Sequence, residues 1–152
     1  MASILLVDGN PVERRVVRMT LDLDGHRCAE AATGAEALGI IRDYPVDLVM
    51  IAMDLADLDG YQLIPSAHTL PGRERTPFVA ILAQDDERGP VESFLAGAVD
   101  VLIQPFGSQD VRDVVARATS PVEIDLRTSP HHEAYETALR LQQQARADRP
   151  AS

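Results

Sequence analysis

Aspartates placed just past short apolar runs are the side chains best able to do chemistry in this 152-residue chain. Asp8 closes the run Ser3–Val7, and Asp54 and Asp57 follow the run that ends at Ala52. Hard divalent cations accept carboxylate and water oxygens, so Asp8 and Asp54 read either as a loose site for a hydrated ion or as two solvated loop acids. All 14 basic residues are Arg and no Lys occurs. That composition excludes Schiff-base, P-loop and every other chemistry that needs a primary amine on a flexible stem. His131 and His132 are neighbours at a predicted helix start, where adjacent side chains point different ways, and no third His or Cys accompanies them. They read as solvated residues of a helix start, and with His26 and His68 they make no metal set. Cys28 is the single cysteine and reads as a small, reduced core residue.

The net charge is −10, with no basic arm to hold a phosphate backbone, so nucleic acid is not an expected partner. No apolar run approaches the ~20 residues of a membrane span, and Met1–Asp8 lacks the features of a signal peptide. A cytoplasmic protein with no membrane partner is the expectation.

Short β-branched runs alternate with helical periods through the first hundred or so residues. Strands are predicted over 3–7, 26–31, 46–52, 77–83 and 99–103. Asn10 and Pro11 open the first helix, on which Val12, Val16, Met19 and Leu23 form an apolar stripe; Thr33 caps the second. Five such units in succession predict an α/β fold, a doubly wound five-stranded parallel sheet with helices on both faces. The domain is placed at 1–119, an irregular linker at 120–130, a C-terminal helix at 131–147 capped by Ser129, and a disordered tail at 148–152. That last helix is weakly amphipathic, with Tyr135, Ala138, Leu139 and Gln142 on one face, and is expected to dock lightly or fray.

In an open α/β sheet the site lies beyond the carboxyl ends of the strands. The residues there are Asp8 and Gly9, Ala52 to Asp54, Leu82 to Gln84, and Gln104-Pro105-Phe106. With Arg14-Arg15, Asp47-Leu-Val-Met-Ile51, Asp59-Gly60, Pro77 and Ala96-Gly97-Ala98 they form an ordered set. Over residues 3–119 the chain resembles the receiver domain of bacterial two-component response regulators, the fold of the single-domain chemotaxis regulator. The resemblance implies a phosphoacceptor Asp at the end of the third strand, a pair of acids after the first strand holding Mg²⁺, a hydroxyl after the fourth and a Lys after the fifth. In-line phosphoryl transfer needs such a metal and such cations to neutralise the equatorial oxygens. Counting eight residues back from Gly60 and five on from Asp47 reaches Ala52 both times. The second acid position is Gly9, the hydroxyl position Leu82, the Lys position Gln104 and the switch-aromatic position Val101, so that Asp8 alone of the set remains.

The resemblance therefore implies a degenerate pseudo-receiver: no enzyme, no catalytic residue, no cofactor, and Mg²⁺ binding weak or absent, with Asp8 and Asp54 as the weak candidate ligands. The expected function is a phosphorylation-independent adaptor in two-component or phosphorelay signalling that binds a protein partner such as a histidine kinase. Two other readings stand beside it: a small-molecule sensor using the pocket bounded by Ala52, Leu82 and Gln104, and a weak phosphoacceptor through Asp54. Receivers of this family signal through the face made by the fourth helix, fifth strand and fifth helix. Here Leu95, Val101 and Ile103 mark that face, either as ordinary buried strand positions or as a constitutive docking or homodimer surface.

Overall fold

The computed structural model describes residues 2–120 and 126–148. Residues 121–125 of the expected linker and 149–152 of the expected tail lie outside the described residues. The elements are β1 (Ser3–Val7), α1 (Pro11–Leu23), β2 (Arg27–Ala31), α2 (Gly34–Asp43), β3 (Leu48–Ala52), α3 (Gly60–His68), β4 (Phe78–Leu82), α4 (Gly89–Ala96), β5 (Asp100–Ile103), α5 (Ser108–Ala118) and α6 (His132–Ala147). A single 3-10 turn, Leu126–Thr128, precedes α6.

All strand pairs are parallel and the order is β2-β1-β3-β4-β5. Strands buried on both faces need apolar residues at every position, and β3 and β4 are buried throughout. Side chains alternate between two cores. Leu5, Val7, Val49, Ile51, Phe78 and Ala80 face one core with α2, α3 and α4. Ile4, Leu6, Leu48, Met50, Val79 and Ile81 face the other, with Val17 and Leu21 of α1 and Val111, Val114 and Val115 of α5.

The caps read from the sequence at Asn10 and Thr33 form as expected. The Asn10 carboxamide oxygen accepts the N–H groups of Val12 and Glu13 at 3.0 and 3.3 Å, and the Thr33 hydroxyl accepts that of Glu36 at 3.2 Å. Gly60 follows its capping Asp59 because a Cβ there would stand 2.8 Å from the Met53 Cα.

Two expectations about helices are corrected. On α1, Val17, Thr20 and Leu21 face the core, while Val12, Val16, Met19 and Leu23 face solvent. The Asn10 cap sets the phase of the first turn, and Arg14 and Arg18 both reach Glu30 of β2, at 3.0 and 2.6 Å. That rotation turns the more regular apolar stripe outward. The last helix starts at His132, with His131 rather than Ser129 at its cap position and no side-chain cap bond, and it docks rather than frays. Ala138 is buried, Ala134 and Tyr135 join the first core, and the Tyr135 ring meets Phe94 of α4 edge-on, with centroids 5.5 Å apart.

Candidate functional site: the carboxyl edge of the sheet

Asp8, Gly9, Ala52, Leu82 and Gln104 all lie at the carboxyl edge of the parallel sheet, where the sequence places the pocket. Asp8 is only 3% exposed. Its Oδ1 accepts the Asn10 N–H at 2.9 Å, but its Oδ2 is buried and meets no donor. Burial pushes the carboxyl up to about 7, and the neighbouring Glu13 carboxyl and the negative charge of Asp54 push the same way, against the Asn10 N–H.

Glu13 is the pocket residue that the strand ends do not reveal. It stands at the third position of α1, where a side chain points back towards the helix start. Its Oε1 accepts a hydrogen bond from the Gln104 amide. An acid three residues after a capping Asn is the signal that would have found it. The amide at position 104 is thus tied to α1, and the Gln104–Pro105 peptide beyond it is cis.

The remaining positions are apolar or small. Ala52 and Leu82 are 3% and 1% exposed and carry no polar atom into the pocket. A Cβ at Gly9 would meet only the Ala32 carbonyl oxygen, at an ordinary 3.5 Å, and Gly9 has no left-handed φ, so neither space nor backbone requires a glycine there. The two other acids of this edge diverge. Asp54 is exposed, whereas Asp57 accepts the N–H groups of Gly34 and Ala35 at 2.9 and 3.1 Å. Those bonds cap α2 and hold the Asp57 carboxyl below its usual range.

Mg²⁺, which the fold family implies, is tested by the donors present. One buried orphan oxygen on Asp8 favours a cation, but no group of three His, Cys, Asp or Glu side chains among the described residues is placed to hold a metal ion. The residues do not fit the ion.

The other candidates have structural surroundings. His26 Nδ1 accepts the Ala2 N–H at 3.1 Å, and the His68 ring bonds the Thr76 carbonyl at 2.9 Å. His132 contacts Glu136 at 3.2 Å, and burial lowers the pKa of His131. Cys28 is half-buried rather than in the core, and burial pushes its thiol up to about 11, which leaves it a poor nucleophile.

The chain's own C-terminal helix packs on α4, at one side of the face marked by Leu95, Val101 and Ile103. Val101 is 1% exposed, and Leu95 and Ile103 pack in the same core as Ala134, Tyr135 and Ala138. A polar latch fixes the start of the C-terminal segment. Asp100, fully buried, accepts Arg117 Nε at 2.9 Å, the Ser129 hydroxyl at 2.8 Å and the Val101 N–H at 2.9 Å. The Ser129 hydroxyl in turn accepts the His131 N–H at 3.1 Å.

Among known proteins, the family model of the response regulator receiver domain matches residues 4–116. The chain is 34% identical over 127 residues to the positive alginate biosynthesis regulatory protein of Pseudomonas aeruginosa, covering 82% of this chain and 50% of that protein. It is 30% identical over 129 residues to the transcriptional regulatory protein KdpE of Mycobacterium tuberculosis, covering 82% of this chain and 56% of that protein. The chain thus spans about half the length of the curated relatives it matches. Among solved structures, it is similar to the receiver domain of a sensor histidine kinase from Pseudomonas aeruginosa PAO1, which has a magnesium ion coordinated in its active-site cleft. The TM-score is 0.72 and the identity 26%, over 78% of this chain and 97% of that one. No helix among the described residues is long and apolar enough to cross a membrane.

Proposed function

The chain belongs to the response regulator receiver family of two-component signalling, and from that premise we propose that it works by contact with a protein partner without accepting a phosphoryl group. The observation that carries this reading is Ala52 at the end of β3, where a methyl group stands at the acceptor position. A methyl group cannot attack phosphorus, and no neighbour takes its place. Asp57 is committed to the cap of α2, and Asp54 stands two residues on with no hydroxyl at Leu82 and no cation at Gln104 to stabilise the charge of transfer. The substitution of Gly9 for the second acid supports the same reading, because the backbone there tolerates a side chain.

On this reading the protein is not an enzyme and needs no resident cofactor. Its partner is a protein, a histidine kinase being the kind that the family supplies, and the contact does not wait for phosphorylation. Packing of α6 on α4, with Tyr135 against Phe94, supports that independence, since one side of the face that would respond to a phosphate is already covered.

The test is incubation with acetyl phosphate or beryllofluoride in millimolar Mg²⁺. Intact mass is expected to show no added phosphoryl group, and amide spectra no change at residues 52–60. The melting temperature is expected to stay unchanged, whereas a ligand present at 100 times its Kd stabilises by about 2.7 kcal/mol. A phosphorylated species lost in Asp54→Asn would replace this reading with residual phosphotransfer.

A further inference from the structure

Seven large apolar side chains are exposed among the described residues, and four of them lie on α1: Val12, Val16, Met19 and Leu23, at 71, 58, 59 and 79% exposure. Their spacing of four, three and four residues confines them to one narrow stripe, the seam spacing of a helix that packs along another helix. Isolated exposed apolar residues need no explanation, but an aligned set on one helix marks an interaction surface. The fold does not use this stripe, because α1 meets the sheet and α5 through Val17, Thr20 and Leu21.

We propose that the stripe is the contact with a second copy of this chain, α1 against α1, antiparallel about a two-fold axis that passes between Val16 and Met19. The charges beside the stripe specify the occupant. Arg15 and Asp22 lie on the same flank of the helix, one towards each end. In an antiparallel two-fold pair a flank meets its own copy reversed, so Arg15 of each copy comes beside Asp22 of the other, twice. A parallel pair would set this flank against the one carrying Glu13 and Thr20, where Asp22 finds no opposite charge.

Both groups are available for that exchange. Arg15 is exposed and makes no ion pair among the described residues. Asp22 is half exposed; it lies beside the Cys28 thiol and pairs with Arg18 at 3.5 Å, whose guanidinium also bonds Glu30 at 2.6 Å. Two copies of a four-residue stripe with its flanks cover less than the roughly 1,200–2,000 Å² of a standard stable interface. The dimer is therefore weak and concentration-dependent, and α6, which packs on α4, takes no part in it.

Sedimentation of the full chain from about 5 to about 500 µM tests this, since a dimer of that size forms by mass action. The mass is expected to rise from 16.5 kDa towards twice that value. Met19→Glu is expected to stay monomeric with an unchanged melting temperature, because Met19 is exposed. Arg15→Asp is expected to weaken association about tenfold through two like-charge contacts, and adding Asp22→Arg to it to restore most of the loss. A wild-type mass of 16.5 kDa throughout, or association of Met19→Glu equal to that of wild type, overturns the proposal. Failure of the double exchange to restore binding overturns the antiparallel arrangement.

Discussion

Replacing Asp8 by Asn is expected to stabilise the folded chain by about 2 kcal/mol at pH 8 and by almost nothing near pH 4. Asp8 carries a carboxyl whose pKa rises from 3.8 to about 7 on folding, through burial and the neighbouring Glu13. Between those values the folded chain holds a proton that the unfolded chain has released. Stability therefore falls as the pH rises from about 4 to about 7 and is flat above, with a ceiling near 4 kcal/mol at about 1.4 kcal/mol per unit. Part of that is recovered by relaxation around the charge, hence the smaller figure. Asn is nearly isosteric, keeps the oxygen that accepts the Asn10 N–H, and offers Glu13 a donor at every pH. Urea unfolding at pH 5 and pH 8 measures the effect. Wild type should lose stability between the two while Asp8→Asn loses less, and equal stabilities at pH 8 would show that Asp8 is not held under strain.

Asp100→Ala should cost about 3 kcal/mol and loosen α6. The carboxylate is fully buried at the start of β5, and three donors converge on it, from Arg117, Ser129 and Val101. Removing one member of a buried charged pair costs about 3–5 kcal/mol, because the partner is left uncompensated. Arg117 retains 17% side-chain exposure and can turn partly to solvent, which places the expectation at the low end. Ser129→Ala removes one neutral donor to the same carboxylate and should cost about 1–2 kcal/mol. The two losses should not add, since both act on one latch. Hydrogen exchange separates this role from general destabilisation: amides 132–147 should lose protection before those of β1 and β3. A loss below about 1 kcal/mol with α6 still protected would mean that Asp100 does not tie the segment down.

These two aspartates show how far sequence reading carries. Asp8 was legible because a parallel sheet places its strand ends on one edge, and a continuous apolar run ending in Asp-Gly-Asn locates such an end without any tertiary information. Ala52, Leu82 and Gln104 were legible by the same counting, as was Gly9. Asp100 was not, since an Asp opening a strand reads as an ordinary exposed end. Its burial depends on Arg117 and on Ser129, 17 and 29 residues further along. Glu13 was hidden for a related reason: its partner Gln104 is 91 residues away, brought alongside only when β5 lies next to α1 at the pocket.

The stripe on α1 marks the boundary most clearly. Periodicity identified Val12, Val16, Met19 and Leu23 as one apolar face, and that much is a property of the helix alone. Which face of a helix meets the sheet is a property of the assembly. It is decided here by the cap at Asn10, by the reach of Arg14 and Arg18 to Glu30, and by the fit of Val17 and Leu21 against α5. Local spacing along the chain thus determined the parallel α/β architecture and the residues standing at the carboxyl edge of its sheet, because strand and helix periods are short-range. The outward turn of α1, the docking of α6 on α4 and the burial of Asp100 were decided by tertiary packing, because each depends on groups that only the folded chain brings within bonding distance.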